Sequence, residues 1–200
     1  MPYTAEHKQA TRKRILESAR RLFNDKGFAE VSIDEVMDKA GLTRGGFYRH
    51  FRDKSELYAE AVRWFLCPEA PKPWQKRRRG ANRKTQAERI VDSYFSLDHF
   101  GDRESCCPLL TLPADIARSN DEVRSAYGAV LMKLVTIFEA DLDDRDEALS
   151  LAALCVGGMV LSRSVEGSTM AHALRGAAYR RAQSVIRGSR RPPPAAIAAE

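Results

Sequence analysis

No stretch of the 200 residues approaches the roughly 18 uninterrupted apolar residues that a bilayer-crossing helix needs, and the richest run, Leu151 to Leu161, has the length of a buried helix. A membrane partner is therefore not expected. The first ten residues, MPYTAEHKQA, hold no apolar stretch of a secretory leader, so the expected compartment is the cytoplasm. Cysteine is scarce: Cys67, Cys106, Cys107 and Cys155 form neither a CxxC pair nor a disulfide-dense pattern. That fits reduced thiols and argues against a structural zinc site. No metal and no cofactor are expected. Strand-like alternation is missing, as are internal repeats, a strand-turn-helix nucleophile elbow, a phosphate loop and an HExxH pair. The nearest approach to a catalytic set, Cys106 or Cys107 with His99, lacks an orienting third group and an oxyanion hole, so no enzyme is read here.

What is present is charge, unevenly spread. Residues 1 to 84 carry 20 Lys+Arg against 11 Asp+Glu, a balance of +9, while residues 85 to 200 carry 13 against 16, a balance of −3. A basic module joined to a mildly acidic body is the layout of a nucleic-acid reader with a second functional part. The bland reading is a solvated basic face, and a nonspecific nucleoid or RNA binder is a competing class, although motifs for stacking RNA bases are missing.

Apolar residues recur at three and four, so the chain reads as all-α with about nine helices. A first helix is predicted from about Ala10 to Asp25, with Ile15, Ala19, Leu22 and Phe23 on one face and Gly27 ending it. Ser32 and Glu35 form the capping box SIDE, Gly41 stops that helix, and Thr43 is expected to cap a two-turn helix to His50. DKSE, Asp53 to Glu56, opens a longer helix that ends near Pro68. Residues 68 to 84 hold three prolines and seven positive charges and read as a loop. Further helices are predicted at about Thr85 to Phe100, Pro108 to Ser119, Asp121 to Leu142, Arg145 to Val165 and Ser168 to Arg187.

Two short helices joined by the GLT turn make a helix-turn-helix pattern. Its second helix has an apolar anchor, Phe47, beside a polar face of Thr43, Arg44, Tyr48, Arg49 and His50. Gly45 and Gly46 each lower helix propensity by about 1 kcal/mol relative to alanine. Their use is close approach: a bare backbone there brings the amides near phosphates or base edges. Arg12, Lys13 and Arg14 are candidate contacts to the DNA backbone.

The run LFNDKGFAEVSIDEVMDKAGLTRGGFYRHFRDKSELYAEAV closely resembles the N-terminal domain of TetR/AcrR-family transcriptional regulators. The likeness spans roughly residues 10 to 65 and rests on an ordered set: Phe23, Gly27, Phe28, Ser32, Ile33, Ala40, Gly41, Tyr48, Phe51, Lys54 and Leu57. It implies a three-helix DNA-binding domain over 8–53 and an effector-binding and dimerisation domain over 54–189; the proline- and alanine-rich tail over 190–200 reads as disordered from its composition. It further implies a homodimer that binds a palindromic DNA operator, represses, and is released by an unknown small-molecule effector. Carried over residue by residue, Thr43, Arg44, Gly45 and Gly46 face the groove, with Arg44 as base reader, while Ser32, Tyr48, His50 and Lys54 face phosphates.

Small residues and a long apolar list on the last two helices, from Leu149 to Ile186, suggest a four-helix bundle made with a second copy. An effector site would draw on Trp64, Phe65, Tyr94, His99, Cys106, Tyr127 and Met159, although aromatic stripes at helical spacing are usually core. The segment SCCPLLTLP is similar to a branch of the family with a cysteine-proline signature. Cys107 would cap a helix beginning at Pro108, and thiols there favour thiolate. The alternative function is thus a redox- or electrophile-sensing repressor using Cys106 and Cys107; the bland reading is two small buried residues. The basic cluster Gln75 to Lys84 suits either a nonspecific DNA arm or a lid.

Overall fold

The computed structural model describes residues 4–68, 70, 84–96, 103–104 and 106–189. The 190–200 tail, His99 and the basic cluster up to residue 83 lie outside the described residues. Nine α-helices and two 3₁₀ helices are present among them, with no strand, so the all-α expectation holds. The chain divides into two compact units, Met1–Lys76 with Leu97–Lys133, and Arg77–Ser96 with Leu134–Glu200.

In the first unit, α1 (Ala5–Glu30) begins earlier than predicted because Thr4 Oγ1 accepts from the His7 amide at 3.3 Å. Ile15, Ala19, Leu22 and Phe23 are buried on its inner stripe, as the spacing requires. Gly27 breaks the helix at φ 81°, where a Cβ would also stand 2.5 Å from the Asp115 carboxylate. Only glycine meets both demands. Beyond the break Phe28 closes an aromatic cluster with Tyr58, centroids 5.0 Å apart, and Tyr58 meets Phe23 edge-on at 4.7 Å.

Helix α2 (Ile33–Lys39) is capped by Ser32, whose hydroxyl accepts from the Glu35 amide at 3.1 Å. The expected reciprocal half of the box is replaced, since Glu35 pairs with Lys26 at 2.5 Å. Gly41, at φ 65°, turns the chain out of the helix. After it, Arg44–Arg49 is a 3₁₀ helix instead of the predicted α-helix, and Thr43 makes no side-chain cap. Two adjacent glycines disfavour α-helix by about 1 kcal/mol each, and the tighter i to i+3 pattern suits a segment this short. Helix α3 (Lys54–Arg63) starts at Asp53, which accepts from the Glu56 amide at 2.8 Å; Glu56 reaches back one residue too far for a box, to the Arg52 amide at 2.6 Å. A short 3₁₀ turn, Trp64–Leu66, follows.

Pro113 divides the predicted Pro108 to Ser119 helix into α5 (Pro108–Thr111) and α6 (Pro113–Ala117), separated at Leu112 with φ −114° and ψ 7°. Proline carries no amide hydrogen to continue the ladder. Glu104 and Asp115 are tied to the N-terminal helices: Arg20 Nη1 donates to the Glu104 carbonyl at 2.8 Å, the Phe28 amide to Asp115 Oδ2 at 2.8 Å, and Lys39 pairs with the Glu104 carboxylate at 2.9 Å. The first half of α7 (Asp121–Leu142) belongs to this unit.

In the second unit, α4 (Gln86–Tyr94) opens on a complete capping box between Thr85 and Glu88 and buries Ala87, Ile90, Val91 and Tyr94. Asp144 caps α8 (Arg145–Ser164) by accepting from the Asp146 and Glu147 amides. By length and composition α8 could cross a membrane; its inner face of Ala148, Leu151, Ala152, Cys155 and Met159 is buried, and the helix packs on α9 (Thr169–Ser189) and α4. Gly158 allows the close approach of α8 and α9, since a Cβ there would meet Ala178 Cβ at 2.5 Å. Leu149, Leu161 and Met170 remain exposed on these two helices, as does Val165 at the C-terminal cap of α8.

Candidate nucleic-acid interface

The 3₁₀ helix sits on one residue. Phe47 is fully buried, stacked on Phe51 with centroids 5.7 Å apart, while its neighbour Tyr48 meets it edge-on at 5.2 Å and is 62% exposed. One ring anchors the element and the next is presented outward. The backbone is pinned from behind: Arg12 donates to the His50 carbonyl and to Glu60 and lays its guanidinium 4.1 Å above the Phe51 ring. Arg14 donates to the Ala40 carbonyl, and Lys13 lies over the Trp64 ring at 5.4 Å. Arg12 and Arg14, read from sequence as candidate DNA contacts, are thereby engaged in holding the helix-turn-helix together. Sequence distances of 38 and 48 residues separate Arg12 from its partners, so no local pattern announces that role.

On the outward side, Thr43, Arg44 and Gly45 are exposed, and Gly45 has nothing within 4 Å of a notional Cβ; at Gly46 the nearest atom is Met37 Cε, 3.6 Å away. Arg44 pairs with Asp34 of α2 at 2.5 Å, a contact between elements that the sequence reading missed. Ser32 is exposed at the start of α2 and uses its oxygen as a cap, leaving its O–H to donate outward. His50 is half-buried with no hydrogen-bond partner for Nδ1 among the described residues, and burial, then Arg12, Lys8 and Arg49, hold its pKa below the ordinary value. Lys54 rests its ammonium 4.3 Å above the Phe28 ring, and burial lowers its pKa. Thr43, Arg44, Gly45, Gly46 and Tyr48 thus come together on one short element, with His50 at its end and Ser32 and Lys54 at the starts of the helices either side of it.

The residues proposed for an effector are divided. Trp64, Phe65, Cys106 and Tyr127 belong to the first unit, Tyr94 and Met159 to the second. Phe65, Tyr94, Cys106 and Met159 are buried; the Tyr127 hydroxyl donates to the Leu109 carbonyl at 3.2 Å, and burial pushes its pKa up to about 12. Cys107 occupies the cap position before Pro108 as predicted, but both Cys106 and Cys107 are fully buried and the helix they precede has four residues. The dipole of one turn is too small to favour thiolate strongly.

Residues 15–61, from within α1 to near the end of α3 and including the tip at 43–50, match the family of bacterial regulatory proteins called tetR. Those residues are what this chain shares with TetR-family transcriptional regulators. Over 57 residues the chain is 46% identical to the HTH-type transcriptional regulator AcrR of Shigella flexneri, covering 28% of this chain and 26% of that one. It therefore spans about a quarter of that relative's length. The TetR fold extends further than the sequence likeness. A TetR-family regulator from Cytophaga hutchinsonii superposes with a TM-score of 0.67 over 90% of this chain and 95% of its own, at 23% identity. The reduced form of E. coli NemR does so with a TM-score of 0.66 over 84% and 95%, at 18% identity.

Proposed function

We propose that this TetR-family protein is a homodimeric repressor that binds a palindromic operator through the tip at 43–50 and leaves it when a small molecule binds the C-terminal helices. The observation that carries the DNA part is the pairing of a fully buried Phe47 with an exposed polar surface on the same six residues. Arg44 reads guanine through its guanidinium; Thr43, Gly45 and Gly46 admit the backbone to the groove; Ser32, Tyr48, His50 and Lys54 fix register on phosphates. The exposed Leu149, Leu161, Val165 and Met170 support pairing through α8 and α9. Such a regulator works in the cytoplasm, on double-stranded DNA, and needs no catalytic group.

Thiol sensing by Cys106 and Cys107 is the second reading. One observation favours it: the backbone carbonyl of Cys106 accepts from Asn24 of α1, which ties the main chain at that cysteine to the helix-turn-helix domain. Burial of both thiols opposes it, since oxidants attack exposed thiolates.

The test is selection of bound duplexes from a random-sequence library with the full chain, followed by affinities of variants. Arg44→Ala should relax the preference for the selected sequence, whereas Lys54→Ala should weaken selected and unrelated duplexes alike. Equal losses on both kinds of DNA for both variants would refute the assignment.

A further inference from the structure

The pair between Arg44 and Asp34 is placed where a carboxylate is costly. Asp34 stands in the first turn of α2 and Arg44 begins the 3₁₀ helix, with Nη1 and Oδ2 2.5 Å apart and side chains 63% and 48% exposed. An exposed pair of this kind contributes little to folding. A negative charge beside the tip also repels phosphates and lowers the counterion-driven part of DNA affinity. A favourable place in the first turn of a helix does not account for it alone, because the adjacent Glu35 already supplies that charge.

Geometry gives the carboxylate a use. Arginine offers five donors in a planar fork, and a carboxylate holding Nη1 fixes that plane while the remaining donors stay available for two acceptors on one guanine edge. Without an anchor the long side chain is equally able to swing to a phosphate, which is contact without sequence information. We propose that Asp34 is a positioning residue for base recognition: it holds the Arg44 guanidinium on a base edge and keeps it off the phosphate backbone. Asp34 trades nonspecific affinity for discrimination. This rests on the reading of Arg44 as the base reader.

The experiment measures affinities of the full chain for its selected duplex, for that duplex with each base pair changed in turn, and for an unrelated duplex. Arg44→Ala identifies the base pairs whose preference depends on the guanidinium, a loss of about tenfold or more at those positions. Asp34→Asn should lose at least about threefold of the preference at the same base pairs while binding the unrelated duplex more tightly, because a charge that repels phosphate is gone. Asp34→Glu should restore most of the preference. In the Arg44→Ala background Asp34→Asn should change no base preference further, which separates positioning from a fault in folding. Full preference retained in Asp34→Asn at the base pairs that depend on Arg44 overturns the proposal and leaves the base reader standing. Preferences untouched by Arg44→Ala itself overturn the base reader and Asp34's role with it.

Discussion

The side-chain amide of Asn24 donates to the carbonyl of Cys106 at 2.9 Å and to that of Glu104 at 3.3 Å, while its own oxygen accepts from the Thr111 hydroxyl at 3.1 Å. One buried residue of α1 thereby binds three groups of the segment that leads into and forms α5. Asn24→Ala removes these bonds together and should destabilise the full chain by about 1 to 3 kcal/mol in urea denaturation. A change within experimental error would mean that these three bonds add nothing net to the hold of α1 on the segment.

Close packing of α8 on α9 makes a second prediction. A Cβ at 158 would lie 2.5 Å from Ala178 Cβ and 3.4 Å from the Phe95 ring. Gly158→Ala should therefore lower stability by about 1 to 3 kcal/mol through overpacking. Adding Ala178→Gly should recover part of that loss, since it removes the nearer of the two clashes. Chemical denaturation of the single and double variants decides this, and additive losses would contradict it.

His50 gives a pH dependence with a definite sign. Its folded-state pKa lies below the ordinary 6.5, with burial as the largest cause, so the unfolded chain takes up the proton first as pH falls. The contribution of His50 to stability is intact above pH 6.5 and is lost on acidification as the pH falls through its folded pKa. His50→Gln should flatten that part of the stability curve between pH 7.5 and 5.5 in equilibrium urea titrations. An unchanged slope would show that the imidazole is as free to ionise in the fold as outside it.

Local chemistry was legible in the sequence where partners are three or four residues apart. Ser32 and Asp53 cap the helices they were expected to cap, Gly27 and Gly41 take positive φ where the helices stop, and Phe47 is the buried anchor. The half-formed box at Ser32 shows where that legibility ends: Glu35 is drawn away by Lys26, nine residues earlier and brought close only by the turn at Gly27. Arg12 is the clearer case. On a helical wheel it is a charge on a solvated face, and its partners His50, Phe51 and Glu60 come near only after α2 and α3 have folded. Asp34 was overlooked for the same reason, its partner lying on another element. Pro113 carried a local signal, since proline cannot continue the helix begun at Pro108.

If the surface at 43–50 is built to approach DNA closely, a single methyl group at Gly45 should reveal it. A Cβ at 45 meets nothing within 4 Å in the free protein, so Gly45→Ala should leave stability unchanged or raise it by up to about 1 kcal/mol. Against the selected duplex the same methyl group would stand between backbone and groove. The measurement is the affinity of the full-length Gly45→Ala variant for that duplex, alongside its urea midpoint: a loss of about tenfold, some 1.4 kcal/mol, with the midpoint held or raised is predicted. Wild-type affinity in a variant that folds normally would contradict the account.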